Sequence, residues 1–232
     1  MRCAVRVKGK GGRPVSDSTI ANDVSHLKEF FAWLQRYDYR LDDPTSRIER
    51  TRLHRQIVQP IPDPLLAEAL ASADPHDTAI LCLAAFAGLR AQEICDLTWG
   101  DIDTIDGFIH VRKGKGGKPR VVPLTAPVRD SLNALPWRSG WVIRQRNGVK
   151  KATSNSVTKR AIRLLGGRSH GGHSLHQLRH RWATRAYQET KDLRAVQEGL
   201  GHSSLQTTCI YVKPGRDALK LASEAAATLR LG

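Results

Sequence analysis

Apolar residues recur at helical spacing between Ser18 and about Tyr37, at Ile20, Val24, Leu27, Phe30, Phe31 and Leu34, with Asp17 or Ser18 placed to cap. This pattern predicts a long helix that must pack on something. A second, short, arginine-rich helix is predicted over Asp43–Arg55, after which Pro60, Pro62 and Pro64 punctuate the chain and suggest a domain boundary. Beyond it, Leu65–Ala73 and Asp77–Ala87 read as helices, Gly88 breaks the second, and a new helix runs from Leu89-Arg90 to about Leu97. Strand-like segments follow at Trp99–Ile102, Phe108–Arg112 and Arg120–Leu124, the last two joined by a glycine- and lysine-rich tip, Lys113–Pro119. After Ala126 the pattern is helical, with helices expected over Ser154–Leu165, His176–Thr190, Leu193–Leu200, Ser204–Tyr211 and Asp217–Leu229. The expected fold is mainly α with a small antiparallel β-sheet, an α+β arrangement.

Charge changes this picture more than composition does. The 232 residues carry 37 Lys plus Arg against 22 Asp plus Glu, a formal net charge of +15, which favours a polyanionic partner, nucleic acid first, because neutralised phosphates release counterions. A hydrophobic fraction of 40% is enough for a core in one large domain or two modest ones. Residues 1–15 are basic and glycine-rich, the composition of a mobile arm or a tail. Cys3, Cys82, Cys95 and Cys209 are scattered and form no C-x-x-C pair, which fits a reduced, cytoplasmic setting. The longest apolar run, Ala79–Leu89, is about half a membrane span, and no signal peptide is visible, so a soluble protein without membrane contact is expected.

Four constellations carry candidate chemistry. Arg90 opens a helix after Gly88 and Glu93 follows at i+3 on the same face, an arrangement that an ordinary surface ion pair also gives. Lys115 sits in the tip between two strands, either reaching toward a phosphate or forming a solvated basic turn; the spacing of a phosphate-cradling P-loop is missing. His176 and Arg179, three apart on a helix, point the same way and can grip one phosphate, while His170, His173, His176 and His180 lack the cysteine or glutamate partners of a metal site. His180 reads as a packed helix residue. Finally, Gly201 ends a helix, His202 follows, and Tyr211 comes nine residues later; for Tyr37, Tyr39 and Tyr187 core packing is the reading.

Taken together, AGLRAQE, GKGGKPRVVPL, HQLRHRWAT and LGHSSLQTTCIY occur in the order and approximate spacing of the tyrosine recombinase, or phage integrase, family, and the chain resembles that family over residues 59–232. The resemblance implies a tyrosine recombinase catalytic domain at 59–232, preceded by a basic arm and a helical core-binding domain at 1–58 that is shorter than in relatives, with no separate arm-binding domain. It also implies a site-specific recombinase, or integrase, that cleaves and rejoins double-stranded DNA through a 3′-phosphotyrosyl intermediate, with no cofactor, metal or ATP. Arg90 and Arg179 would hold the non-bridging phosphate oxygens, Lys115 would protonate the departing 5′ oxygen, and His176 would assist deprotonation of the nucleophile. His202 would hydrogen-bond the phosphate and Tyr211 would be the nucleophile, while Glu93 resembles a buttressing position. Relatives work as tetramers on paired sites, with accessory proteins that bend DNA or set direction, and a helix such as Asp217–Leu229 packs on a neighbouring subunit in them; packing within its own chain is the other reading. Two competing functions remain for the same features: a binding-only DNA regulator, which does not need Tyr211, and a type IB topoisomerase-like enzyme without paired-site exchange.

Overall fold

A computed structural model of the chain describes residues 15–49, 59–112, 119–146, 148–166 and 173–201. Lys115, His202 and Tyr211 lie outside the described residues, as do the predicted helices over 204–211 and 217–229, the tip at 113–118 and residues 50–55 of the predicted second helix. The chain divides into two compact units, Met1–Ile57 and Val58–Gly232.

In the first unit, helix α1 spans Asp17–Arg36 and starts where Ser16, rather than Asp17 or Ser18, accepts a hydrogen bond from the Thr19 amide. Among the described residues α1 buries no side chain completely. Aromatic residues stack along its surface, Trp33 against Phe30, and Tyr39, just beyond the helix, against Trp33. Tyr37 and Tyr39 are therefore exposed, contrary to the core role expected of them. Residues 43–49 form a turn where a helix was expected. Asp43 Oδ1 accepts from both the amide (2.8 Å) and the hydroxyl (2.6 Å) of Thr45, a local bond that competes with helix formation. Lys28 ties α1 to this turn by donating to the Thr45 carbonyl at 2.8 Å.

The second unit is built around a helix that is apolar on nearly every side. Helix α2 (Asp63–Ser72) is followed by α3 (Pro75–Ala85), in which Ala79 to Ala85 are all buried. A helix hydrophobic all round belongs in an interior, and α3 packs against α5 (Ala126–Asn133), α6 (Ser154–Leu164) and α7 (Leu175–Thr190). Helix α5 has a short apolar face of Val128 and Leu132, too brief to be singled out from the sequence. The predicted strand at Trp99–Ile102 is mostly a 3-10 turn, Trp99–Asp101, because Asp101 Oδ2 accepts from the amide and hydroxyl of Thr98 at 2.9 and 2.6 Å.

The sheet is antiparallel in the order β1 (Ile102–Asp103), β2 (Phe108–Val111), β3 (Arg120–Pro123). Ile109, Val111 and Val122 face the core while His110 and Val121 face out, the alternation of a sheet covered on one side. Helices α4 (Ala91–Asp96) and α8 (Leu193–Leu200) complete the described elements. No helix among them is long and apolar enough to cross a membrane. Cys82 and Cys95 are buried, unpaired thiols.

Candidate active site

Glu93 organises the site. It stands in the first turn of α4, where its Oε2 accepts from the Arg90 amide at 2.8 Å and its Oε1 from Arg90 Nη1 at 2.7 Å, so the carboxylate caps the helix and holds the arginine at once. Arg120, on β3, donates from Nη1 and Nη2 to the two Glu93 oxygens, both at 2.8 Å, and from Nε to the Gly199 carbonyl at 2.9 Å. Arg179, on α7, brings Nη1 to 3.5 Å from Glu93 Oε2. The Glu93 side chain is 2% exposed, so the surface ion pair that its spacing with Arg90 allows is instead part of a buried network. Burial alone raises the carboxyl pKa. The Arg120 hydrogen bonds and charge, the Arg90 amide and the Arg179 charge outweigh it, lowering the pKa from 4.5 to about 2.

Arg179 is itself buried and donates to the carbonyls of Gly88 and Leu200, which fix its guanidinium between the α3–α4 turn and the end of α8. Both anchors depend on small residues. Gly88 adopts φ +63°, and a Cβ there would come within 2.9 Å of Trp182; one at Gly199 would come within 2.5 Å of the same ring. Trp182, one turn along α7 from Arg179, thus lies between the two segments whose carbonyls hold it.

Arg90, His176 and Arg179 line one cavity of about 380 Å³, together with Gln92, Ser154 and Ser174. Ser154 donates to Gln92 Oε1 at 2.7 Å across it. His176 opens toward solvent, yet neighbouring protein atoms strip part of its hydration, and the charges of Arg179, His180 and Arg90 add to this, lowering its pKa. Its imidazole is neutral at neutral pH and able to accept a proton. His180 is buried, as a packed helix residue would be.

Of the six residues expected at the site, three come together; Lys115, His202 and Tyr211 lie outside the described residues. Arg120 was not singled out in the sequence. The signal was present in β3, where alternation puts Arg120 on the same face as buried Val122, a position at which a cation needs an acid partner.

A model of the phage integrase family matches residues 50–216. Tyrosine recombinase XerC of Neisseria meningitidis serogroup B is 33% identical over 216 residues, covering 87% of this chain and 71% of XerC. Among solved structures, the integrase of mycobacterium phage Brujita is 27% identical, with a TM-score of 0.58, over 96% of this chain and 77% of that one. XerH bound to its difH substrate, 22% identical, shares the fold at a TM-score of 0.69 over 94% of this chain and 67% of that one. The chain belongs to the phage integrase family and is a site-specific recombinase of the tyrosine type.

Proposed function

We propose that this chain cleaves and rejoins double-stranded DNA through a covalent bond between Tyr211 and a 3′ phosphate, with Arg90, Lys115, His176, Arg179 and His202 completing the site. The Tyr211 oxygen attacks phosphorus as the bond to the 5′ oxygen breaks. His176 takes the phenolic proton and Lys115 gives one to the leaving oxygen. His202 hydrogen-bonds the phosphate. Arg90 and Arg179 hold its non-bridging oxygens, matching charge that grows in the pentavalent transition state. The 3′-phosphotyrosine conserves the bond energy, so attack by a 5′ hydroxyl reseals the strand without ATP, and charge neutralisation by cationic side chains needs no metal.

The observation that carries this reading is the cavity shared by Arg90, His176 and Arg179, with three guanidinium groups set around the single Glu93 carboxylate behind it. Three positive charges against one negative leave a surplus of two beside the cavity, which suits a phosphodiester. On this reading 59–232 is the catalytic domain and 1–58 a DNA-binding domain with its arm. The protein acts in the cytoplasm as a tetramer on paired sites, aided by DNA-bending or directionality proteins. XerH, of the same fold, has been solved on its DNA substrate in a pre-cleavage complex.

The test is to incubate the protein with labelled duplexes of randomised sequence that each carry one nick, and to look for an SDS-resistant adduct. The wild-type protein should form it and Tyr211→Phe should not, while binding of the same duplexes persists. An adduct of undiminished yield with Tyr211→Phe removes this residue as nucleophile, and binding with no adduct from the wild type leaves a DNA-binding regulator.

A further inference from the structure

We infer that Arg120 is a positioning residue for strand cleavage, acting through Glu93 on Arg90 and Arg179; this rests on the cleavage chemistry proposed above. Arg120 does not line the cavity. Its side chain is 8% exposed and binds the carboxylate that Arg90 and Arg179, which do line it, also meet. From there it reaches Arg179 by two routes. One runs through Glu93, whose two oxygens it takes in parallel at 2.8 Å. The other runs through the Gly199 carbonyl, bonded to Arg120 Nε at 2.9 Å, next to Leu200, whose own carbonyl accepts from Arg179.

The chemistry explains why the position needs a guanidinium. Two oxygens and a carbonyl call for three donors in a fixed planar fork, which arginine supplies and a lysine ammonium, a point charge on a flexible stem, does not. The arrangement also regulates how tightly Glu93 draws its other partners. A carboxylate with both oxygens engaged by Arg120 leaves Arg179 at 3.5 Å, an ion-pair distance rather than a short bond. Without Arg120, the same buried negative charge would be balanced by Arg90 and Arg179 alone and would pull both inward, away from a phosphate in the cavity. β3 contributes the rigidity. Arg120 pairs with Val111 at the end of the β2–β3 ladder, so its backbone is held by the sheet and its side chain by the network.

The experiment uses the full chain with Arg120→Met and Arg120→Lys, on a nicked duplex recovered from the adduct-forming pool. It measures single-turnover adduct formation, DNA affinity by fluorescence anisotropy and melting temperature. The same duplex is also tested with an uncharged methylphosphonate at the scissile position. A transition state that carries one less negative charge depends less on guanidinium alignment, so a positioning defect shrinks on it while a folding defect does not. Arg120→Met should slow adduct formation by about 10²-fold on the phosphate duplex with affinity near wild type. That deficit should fall by about tenfold on the methylphosphonate. Arg120→Lys should melt closer to wild type and recover part of the rate. Should Arg120→Met fail to fold, Arg120→Lys carries the comparison, and its deficit must likewise be larger on phosphate. Equal deficits on the two duplexes, or wild-type rates in a folded variant, overturn the inference. A wild-type protein that forms no adduct on the phosphate duplexes overturns the cleavage reading instead.

Discussion

Two buried carboxylates in this molecule each sit among three arginines, and the two clusters are wired differently. Glu93 meets Arg90, Arg120 and Arg179; Asp77, in the first turn of α3, meets Arg146, Arg160 and Arg163. Around Glu93 both oxygens accept directional bonds of 2.7–2.8 Å, and Arg120 and Arg179 are themselves almost fully buried. Around Asp77 a second acid, Asp74, shares Arg146 and Arg160. Arg146 and Arg163 are largely exposed, while Arg160 is mostly buried and forms an ion pair with Asp77 Oδ1. Counting ion counts alone would call the clusters alike. The difference is freedom: two of the three arginines of Asp77, Arg146 and Arg163, can turn into water, whereas those of Glu93 are held by directional bonds, and only the second kind of cluster can aim a charge into a cavity.

The largest effect that separates them comes from neutralising each acid in turn. Glu93→Gln leaves buried guanidiniums unpaired and should cost roughly 3–5 kcal/mol of stability. In whatever fraction stays folded, adduct formation should drop on the order of 10²-fold. Asp77→Asn keeps Asp74 and lets two arginines hydrate, so the expected loss is roughly 1–2 kcal/mol with cleavage unchanged. Chemical denaturation of both variants beside nicked-duplex cleavage reads this. Equal stability losses would mean that the difference in wiring is irrelevant.

Acidity should separate the same two regions along the pH axis. Beside Asp77, His76 has its pKa lowered from 6.5 to about 4, by burial first and then by the Arg160 charge, with Asp77 and Asp74 pulling the other way. Its Nε2 accepts from the Arg144 amide at 3.2 Å, a bond available only to the neutral ring. The unfolded chain takes up that proton near 6.5 and the folded chain near 4, so stability from His76 is full above 6.5 and is lost as pH falls to 4. Glu93, folded at about 2 against 4.5, gives stability that is full above 4.5 and is lost as pH falls toward 2. Melting temperature measured from pH 7 downward should therefore show two slopes. His76→Gln should flatten the upper one and leave the lower, and Glu93→Gln should do the reverse; a single slope untouched by His76→Gln would break the assignment.

What the sequence made legible was whatever depends on neighbours within a turn or a strand. The apolar run of α3, the period of α1, the β2–β3 hairpin and the Arg90–Glu93 and His176–Arg179 spacings are all local, and local physics sets them. Residues 43–49 and 99–101 were misread because side-chain bonds from Asp43 and Asp101 to the backbone overrode the coarser pattern. Arg120 and Asp77 were missed for another reason. Whether a charged residue is buried depends on partners 27 residues away for Arg120 and 69 and 86 away for Asp77, which periodicity does not reveal. Tyr37 and Tyr39 show the converse, aromatic residues that pack on Trp33 at the surface and so fill no core.

The smallest expected effect tests the freedom argument most directly. Arg163 donates to Asp77 Oδ2 at 3.3 Å while its side chain is 66% exposed. Such a pair gains little Coulomb energy in a water-like surrounding and pays side-chain entropy to hold one geometry. Arg146 already donates to the same oxygen at 3.0 Å, so the carboxylate keeps a partner when Arg163 is removed. Arg163→Ala should thus lower stability by no more than about 0.5 kcal/mol, and what effect remains should fade in molar salt, because an exposed pair is screened. Denaturant melts at low and high salt measure both. A loss several times larger that persisted in salt would show that the Asp77 arginines are held as firmly as those of Glu93, and the contrast between a cluster that aims charge and one that merely tolerates it would fail.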